Sequence, residues 1–265
     1  MAREKWEDKR DSTEYLARRE GFRRLMTVCG RKPVLEALAR DDVDVVRLHV
    51  AKGARGDIIK EILALAKRRG VEVSVATPER VSQISRNSRQ DQGVAADLRI
   101  PRYGLAGDYL SSAPPTFALL ALDGVTTPRN VGLVVRSVGA AGMDGLVLPE
   151  HGCCGIIPLM VKASAGSVFR TRILRCETLV PVLEQCIGLG AEVCTLDPHA
   201  SESLFDYEPH EREVYVLGGE AGGVSCEIRS LSTRTLRIPM ANGIESLNVA
   251  VAAALAAYHR LLSKT

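Results

Sequence analysis

Short strand-like stretches, three of them continuously apolar, alternate with helical stretches from residue 116 to the end of the chain. The predicted strands are residues 117–122, 145–148, 171–174, 192–195, 214–217 and 235–238. Helices are predicted between them at residues 130–141, 156–165, 178–189 and 246–263. Strands that are apolar throughout are typical of a sheet covered on both faces. This order therefore predicts an α/β domain with a largely parallel sheet.

A smaller α/β pattern precedes this domain. Residues 25–100 predict helices near 33–39, 57–69 and 78–84 and strands near 43–50, 71–75 and 93–96. The stretch 101–115 is rich in Pro, Gly and Ser, so we expect a linker that contains the domain boundary. Residues 1–24 are mostly charged or polar and predict a flexible, solvated tail.

Composition excludes several classes of protein. The chain has 265 residues with 46% hydrophobic content, which is enough for a sizeable core, and its net charge of +3 does not by itself indicate a nucleic-acid partner. Residues 1–24 are charged rather than apolar, so no secretory signal is expected, and no apolar run reaches the roughly 18 residues that a membrane span needs. Its 7 cysteines predict a reducing, cytoplasmic setting. Cys153 and Cys154 are adjacent and lack metal-ligand spacing, so no metal site is expected.

Three short motifs of the second domain follow predicted strands. They are Asn130-Val-Gly-Leu-Val-Val-Arg136, Gly218-Gly-Glu-Ala-Gly-Gly223, and Ile238-Pro-Met240 followed by Ser246-Leu-Asn-Val249. Each combines a permissive backbone with polar side chains that have little reason to lie in a core. Ligands of parallel α/β sheets bind at the carboxyl edge of the strands, so the motifs predict one site there.

Individual residues in these motifs suggest particular roles. Asn130 and Ser246 are predicted to cap the helices that follow them. Gly132 allows another backbone or a ligand to approach closely. Arg136 is either a surface or ion-paired arginine, or a fork for phosphate or carboxylate. Asn248 disfavours a helix interior, so we expect it to bond a ligand or a loop.

The glycine-rich motif predicts a tight loop with exposed backbone hydrogen-bonding groups. Such a loop suits an adenine or a ribose. It is neither a dinucleotide fingerprint nor a phosphate loop, which argues against a nucleotide-dependent oxidoreductase. Glu220 within it is interpreted first as a residue that bonds the loop, and second as a ligand contact.

In this order and spacing, the motifs resemble those of the SpoU/TrmH class of SPOUT RNA 2′-O-ribose methyltransferases. Lys162-Ala-Ser-Ala-Gly166 is similar to a further segment of that family. Residues 28–98 resemble, more loosely, the family's amino-terminal substrate-binding domain, and the tail 1–24 lies outside the resemblance. The expected domains are thus a tail at 1–24, an RNA-binding domain at 25–100, a linker at 101–115 and a SPOUT domain at 116–265.

The resemblance implies a deep trefoil knot, S-adenosyl-L-methionine (AdoMet) as cofactor, and a homodimer. It places the cofactor against Gly218, Gly219, Ile238, Met240 and Leu247. It assigns the catalytic surroundings to Asn130, Arg136, Glu220, Ser246 and Asn248. The implied reaction transfers the AdoMet methyl group to a ribose 2′-OH. The family gives Arg136 the role of base, but arginine normally stays protonated, so phosphate clamping is an equally good interpretation.

The implied substrate is structured RNA, and the two-domain layout favours large-subunit ribosomal RNA over transfer RNA. The motifs are also compatible with an antibiotic-resistance ribosomal methylase and with a non-catalytic RNA-binding or ribosome-assembly factor. In the first domain, Arg86, Arg89 and Gln92 belong to a polar stretch that suits phosphate and base contacts, or else forms a solvated loop.

Overall fold

The computed structural model describes residues 25–41, 43–86, 88–99, 104–220 and 222–263. The predicted tail, residues 1–24, lies outside these ranges. The chain divides into two compact units, residues 1–101 and 102–265, and each unit has its own sheet. None of the helices in the described ranges is long and apolar enough to cross a membrane.

Where the structure describes the first unit, within residues 25–99, it has a four-stranded sheet and three helices. Its elements are β1 (Leu25–Cys29), α1 (Arg31–Leu38), β2 (Val45–Ala51), α2 (Asp57–Arg68), β3 (Glu72–Ala76), α3 (Pro78–Ser85) and β4 (Val94–Arg99). The strand order is β1-β4-β2-β3, in which only the pair β2–β3 is parallel. Helix α3 begins where predicted, because Thr77 caps it by accepting a hydrogen bond from the backbone N–H of Arg80.

The second unit is built on an eight-stranded sheet. Its strands are β5 (Gly104–Leu105), β6 (Phe117–Asp123), β7 (Gly145–Pro149), β8 (Ile173–Cys176), β9 (Glu192–Leu196), β10 (Glu202–Ser203), β11 (Arg212–Gly218) and β12 (Arg234–Arg237). Its helices are α4 (Ala106–Ser111), α5 (Pro128–Ala140), α6 (Pro158–Ala163), α7 (Val180–Gly188), α8 (Cys226–Leu231) and α9 (Val249–Leu262), with a 3-10 turn at Ser167–Phe169. The order is β10-β12-β9-β11-β6-β7-β8-β5, and every neighbouring pair is parallel.

Strand β6 lies in the middle of this sheet and is buried from Phe117 to Leu122. One row of its side chains, including Phe117 and Leu119, packs in a core cluster with residues of α4, α7 and α8. A strand that is buried on both faces must be apolar at every position, which is why the sequence lacks alternation there. The predicted α/β fold with a parallel sheet and a separate, smaller amino-terminal domain is confirmed. The knot stays a prediction.

The predicted linker needs correction. Within residues 101–115, Gly104–Leu105 pairs with β8 as an edge strand and Ala106–Ser111 forms a helix. Ala106 and Leu110 are buried in the core of the second unit. Pro and Gly content indicated a loop, but two well-placed apolar residues are enough to fix a short helix by burial. The other predicted domain limits stay predictions.

A buried ion pair joins the end of α9 to the beginning of β11. The Nε atom of Arg260 lies 3.0 Å from Oε1 of Glu213, and both side chains are almost fully buried. Arg260 also donates to the carbonyl oxygens of His210 and Glu211. Burial raises the pKa of Glu213 to about 7, although the nearby Arg260 guanidinium opposes that rise.

We expect Arg260→Leu to lower the free energy of unfolding by about 3–5 kcal/mol at pH 8, because Glu213 would be buried without the cation that pairs with it. The loss should be smaller at pH 5. In both proteins the raised pKa of Glu213 gives a stability contribution that is complete below 4.5 and is lost as pH rises through the folded-state pKa, which is about 7 in the wild type. Arg260 opposes the rise of this pKa, so its removal raises the pKa further and the variant keeps losing stability above pH 7. Urea denaturation at both pH values measures this.

The matched control is the double variant Glu213→Gln/Arg260→Leu, which has no carboxylate to ionise. Relative to Glu213→Gln alone, its loss should be the same at pH 5 and pH 8. An equal loss at both pH values for Arg260→Leu alone would show that Glu213 does not titrate in this window.

Candidate active site

A cavity of about 290 Å³ opens at the carboxyl ends of β9, β11 and β12. Four chain segments line it, and their residues are Leu196, Asp197, Pro198, Leu217, Gly218, Gly219, Glu220, Gly223, Ile238, Met240, Ser246, Leu247, Val249 and Ala252. Strands β6 and β11 are neighbours in the sheet. After β6 the chain continues to β7 on one side of this pair, whereas after β11 it continues to β12 on the other side. This is the kind of edge at which parallel sheets bind ligands.

The glycine-rich motif forms one wall of the cavity because its backbone folds back on itself. A Cβ atom on Gly218 would lie 1.8 Å from the carbonyl carbon of Gly223, and one on Gly219 would lie 2.4 Å from the carbonyl oxygen of Gly124. The N–H of Gly223 donates to the oxygen of Gly219 at 2.9 Å. Any side chain at Gly218 or Gly219 would therefore force the loop open.

Three side chains from the three motifs form a hydrogen-bonded triangle beside the cavity, here called the Asn–Glu–Asn triangle: Asn130, Glu220 and Asn248. The Oε1 atom of Glu220 accepts from Nδ2 of Asn130 at 2.7 Å and from Nδ2 of Asn248 at 3.0 Å. The Nδ2 of Asn248 also lies 3.2 Å from Oδ1 of Asn130, which accepts from it. Because the carboxylate only accepts, it fixes the orientation of both amides.

The helix starts differ from the predicted ones. Helix α5 begins at Pro128, so Asn130 lies in its first turn rather than at its cap, and it is buried. The cap of α9 is Asn248, whose Oδ1 accepts from the N–H of Ala250 at 3.0 Å. Ser246 is exposed, lines the cavity and does not cap the helix. In α5, Pro128 occupies the first helical position, which proline favours. In α9, Asn248 is the N-cap instead of Ser246, and asparagine is as favourable as serine at that position.

Gly132 brings α5 against α6. A Cβ atom there would lie 2.6 Å from the carbonyl oxygen of Met160 and 2.7 Å from the Cβ of Ala163. The segment 162–166 continues this contact, with Ser164 fully buried and its hydroxyl donating to the oxygen of Val161 at 2.8 Å. Of the two options predicted for Gly132, the structure has the close backbone approach. The glycine thereby sets where α5 places Asn130.

Arg136 lies apart from these residues. It is exposed and does not line the cavity. Arg136 is six residues after Asn130 in α5, so it lies about 120° around the helix axis from Asn130. Within the described ranges of the chain, its guanidinium forms neither a hydrogen bond nor an ion pair. Of the five residues predicted for catalysis, the structure brings four together at or beside the cavity and leaves Arg136 outside.

The charge of the cavity wall was only partly predictable. Asp197 and Glu220 are the ionisable residues among those that line it, and both are acidic. The sequence interpretation omitted Asp197, which follows the predicted strand 192–195 at the same edge and could have been found by that position. Its Oδ1 accepts from the N–H of His199 at 2.8 Å, and its Oδ2 lies 3.3 Å from Nη1 of Arg229. In the described part of the chain, no group of side chains could hold a metal ion.

In the first unit, Arg86 and Arg89 are exposed at the loop between α3 and β4. Gln92 has a structural contact instead, because its Oε1 accepts from the N–H of Arg31 at 3.1 Å. The loop is anchored by Asp91, a buried residue that the sequence interpretation did not single out. Its Oδ2 accepts from Ser82 Oγ at 2.7 Å and its Oδ1 accepts from the N–H of Gly93 at 2.8 Å.

We expect Gly132→Ala to lower the free energy of unfolding by about 1–3 kcal/mol, because the added methyl group overlaps the backbone of α6. Gly188→Ala is the matched control, since this helical glycine has open space around its Cβ position. The control should be neutral or more stable by up to about 1 kcal/mol. Urea denaturation measures both, and equal effects would contradict the close approach.

The comparisons with known proteins agree across most of the chain. The profile of the SpoU rRNA Methylase family matches residues 118–258, and that of the RNA 2′-O ribose methyltransferase substrate-binding domain matches residues 27–104. An uncharacterized tRNA/rRNA methyltransferase of Mycolicibacterium gilvum is 34% identical over 233 residues, which cover 85% of this chain and 73% of that protein.

Solved structures share the fold. The SpoU methyltransferase AviRb from Streptomyces viridochromogenes, in complex with AdoMet, has a TM-score of 0.79 at 23% identity and covers 93% of each chain. An AdoMet-bound rRNA methyltransferase from Sinorhizobium meliloti has a TM-score of 0.73 at 24% identity and covers 92% of this chain and 89% of that one. The predicted resemblance is confirmed: the chain belongs to the SpoU family of RNA methyltransferases, with a substrate-binding domain ahead of the methylase domain.

Proposed function

We propose that this protein transfers the methyl group of AdoMet to a ribose 2′-OH of large-subunit ribosomal RNA. The observation that carries the proposal is the meeting of the second and third motifs around one cavity, with the Asn–Glu–Asn triangle at its side. The AdoMet complexes of AviRb and of the Sinorhizobium meliloti enzyme support the cofactor. The family also implies a trefoil knot, and we propose one in the second unit.

The residues of the cavity suit AdoMet. Ile238, Met240 and Leu247 offer an apolar surface for an adenine ring, and the loop from Gly218 offers main-chain hydrogen bonds. The acidic side chains Asp197 and Glu220 suit a ligand that carries a positive sulfonium. When bound, AdoMet supplies an electrophilic methyl group.

The triangle is suited to position the RNA. Oε1 of Glu220 accepts from both asparagine amides, so the three side chains are held in one arrangement beside the cavity. Ser246 is exposed at the cavity and its hydroxyl is available to the incoming ribose. We propose that these groups align the 2′-oxygen with the methyl group, which accounts for much of the rate in such a displacement. The hydroxyl proton would pass to an adjacent RNA phosphate, to Ser246 or to water.

We propose that Arg136 clamps a phosphate of the substrate and that the protein acts as a homodimer. Arg136 is exposed and outside the cavity of its own subunit. Helix α9, which packs against α5, leaves Val251, Tyr258 and Leu262 exposed. An exposed apolar stripe of this kind is typical of an interface between two copies of a chain.

Ribosomal RNA is favoured because the Sinorhizobium meliloti rRNA methyltransferase is similar over 92% of this chain, which includes both units. Transfer RNA is the runner-up, since the name of the Mycolicibacterium gilvum relative includes both RNA classes. All seven cysteines are free thiols, which supports the proposal of a reducing, cytoplasmic location.

The proposal is tested by methyl transfer from radiolabelled AdoMet to separated ribosomal and transfer RNA. The modified nucleotide is then exposed to alkali, because a blocked 2′-oxygen prevents cleavage of the adjacent phosphodiester. An alkali-resistant product in ribosomal RNA is expected. A product confined to transfer RNA would identify the runner-up, and AdoMet binding without transfer to either pool would point to a non-catalytic factor.

We expect Arg136→Ala to abolish methyl transfer, because the substrate phosphate loses its clamp, while AdoMet binding and the oligomeric state are kept. Mixing Arg136→Ala with Glu220→Ala subunits provides the control. If each site uses Arg136 of the other subunit, random pairing restores about a quarter of the wild-type activity. Turnover retained by Arg136→Ala alone would remove this residue from the mechanism.

We also expect Arg86→Ala/Arg89→Ala to weaken RNA binding and to reduce the slope of log affinity against log salt by about 1.4–1.8, because two phosphate contacts are lost. AdoMet affinity should be unchanged. Lys67→Ala/Arg68→Ala is the matched control, since it removes the same charge from the end of α2. An unchanged slope for the Arg86 and Arg89 variant would locate RNA binding elsewhere.

A further inference from the structure

Two arginines lie on one exposed face of α5. Arg129 and Arg136 are seven residues apart, which is almost two complete helical turns, so their Cα atoms are separated by about 10 Å along the same side of the helix. Both side chains are exposed. Within the ranges that the structure describes, neither guanidinium takes part in a hydrogen bond or an ion pair. In that part of the chain, two neighbouring cations therefore face solvent without a carboxylate to balance them.

Arg129 occupies an unfavourable position for a cation. It lies in the first turn of α5, and that turn contains no acidic residue. The backbone dipole at this end of a helix disfavours positive charge. The nearest acidic residue before it, Asp123, is engaged, since its Oδ2 accepts from the N–H of Ser225 at 2.7 Å. Within the described residues, the Arg129 side chain therefore makes no polar contact that would stabilise the fold.

Arg129 lies next to a residue of the active site. It directly precedes Asn130, whose amide belongs to the Asn–Glu–Asn triangle. Because α5 follows β6, its first turn lies at the carboxyl edge of the sheet, while Arg136 is further along toward the opposite edge. An RNA strand whose ribose reached the cavity from this edge would meet the first turn of α5.

We propose that Arg129 is a positioning residue for RNA, and that Arg129 and Arg136 together hold two phosphates of the substrate strand. This rests on the proposed function, and it extends it by assigning a residue outside the three motifs to RNA contact. Guanidinium groups bind phosphate by paired hydrogen bonds as well as by charge. A partner protein with exposed carboxylates is the competing occupant, and it would leave RNA binding unaffected by changes at Arg129.

The test uses the full-length protein and an unmodified transcript of a large-subunit ribosomal RNA. We expect Arg129→Ala to weaken RNA binding about tenfold near 0.1 M salt, as expected for one lost charged contact. The slope of log affinity against log salt should fall by about 0.7–0.9. In methyl transfer, the change should raise KM for RNA rather than lower kcat. Arg129→Lys should keep the salt slope, because its charge remains.

Arg170→Ala is the matched control. Arg170 is also exposed, but it follows the 3-10 turn before β8 and so lies toward the amino edge of the sheet. Its removal should leave both the salt slope and KM unchanged. An unchanged slope for Arg129→Ala, or an equal change for Arg170→Ala, would overturn the inference. The binding measurement needs no turnover, so its outcome is independent of whether the transcript becomes methylated.

Discussion

The Asn–Glu–Asn triangle is the interaction on which the arrangement of the active site depends. Asn130, Glu220 and Asn248 are far apart in the sequence and belong to α5, the glycine-rich loop and the start of α9. One carboxylate oxygen accepts from both amides, so the three segments are tied at a single point. Because Asn248 also caps α9, the orientation of that helix is linked to the same point.

Close backbone contacts prepare the positions that the triangle joins. Gly132 seats α5 on α6, and Gly218 and Gly219 let the loop fold against Gly223 and Gly124. At each of these positions a single methyl group would overlap neighbouring atoms. The glycines therefore determine geometry, while the polar residues beside them make the contacts. Close-packed backbone contacts of this kind resist small displacements.

Charge is distributed differently on the two sides of the site. The cavity wall has the acidic residues Asp197 and Glu220, whereas the exposed face of α5 has Arg129 and Arg136. A cationic cofactor and an anionic RNA strand would thus meet surfaces of opposite sign to their own. This separation is the physical basis of the roles proposed for these residues. It arises within the second unit, and the substrate-binding unit adds its own basic loop.

The sequence by itself determined the elements of the sheet and the residues of the three motifs. Apolar strands such as 117–122 are readable because burial on both faces excludes polar side chains. Sequence rules gave the wrong helix cap where two capping residues are close together, as at Ser246 and Asn248. They also missed a short helix that is held by burial of Ala106 and Leu110. Only the tertiary structure decided that Gly132 contacts Met160 rather than a ligand, that Asp197 joins the cavity, and that Arg136 lies outside it. These outcomes depend on which strands become neighbours, and contacts between residues distant in sequence leave no periodic pattern in the chain.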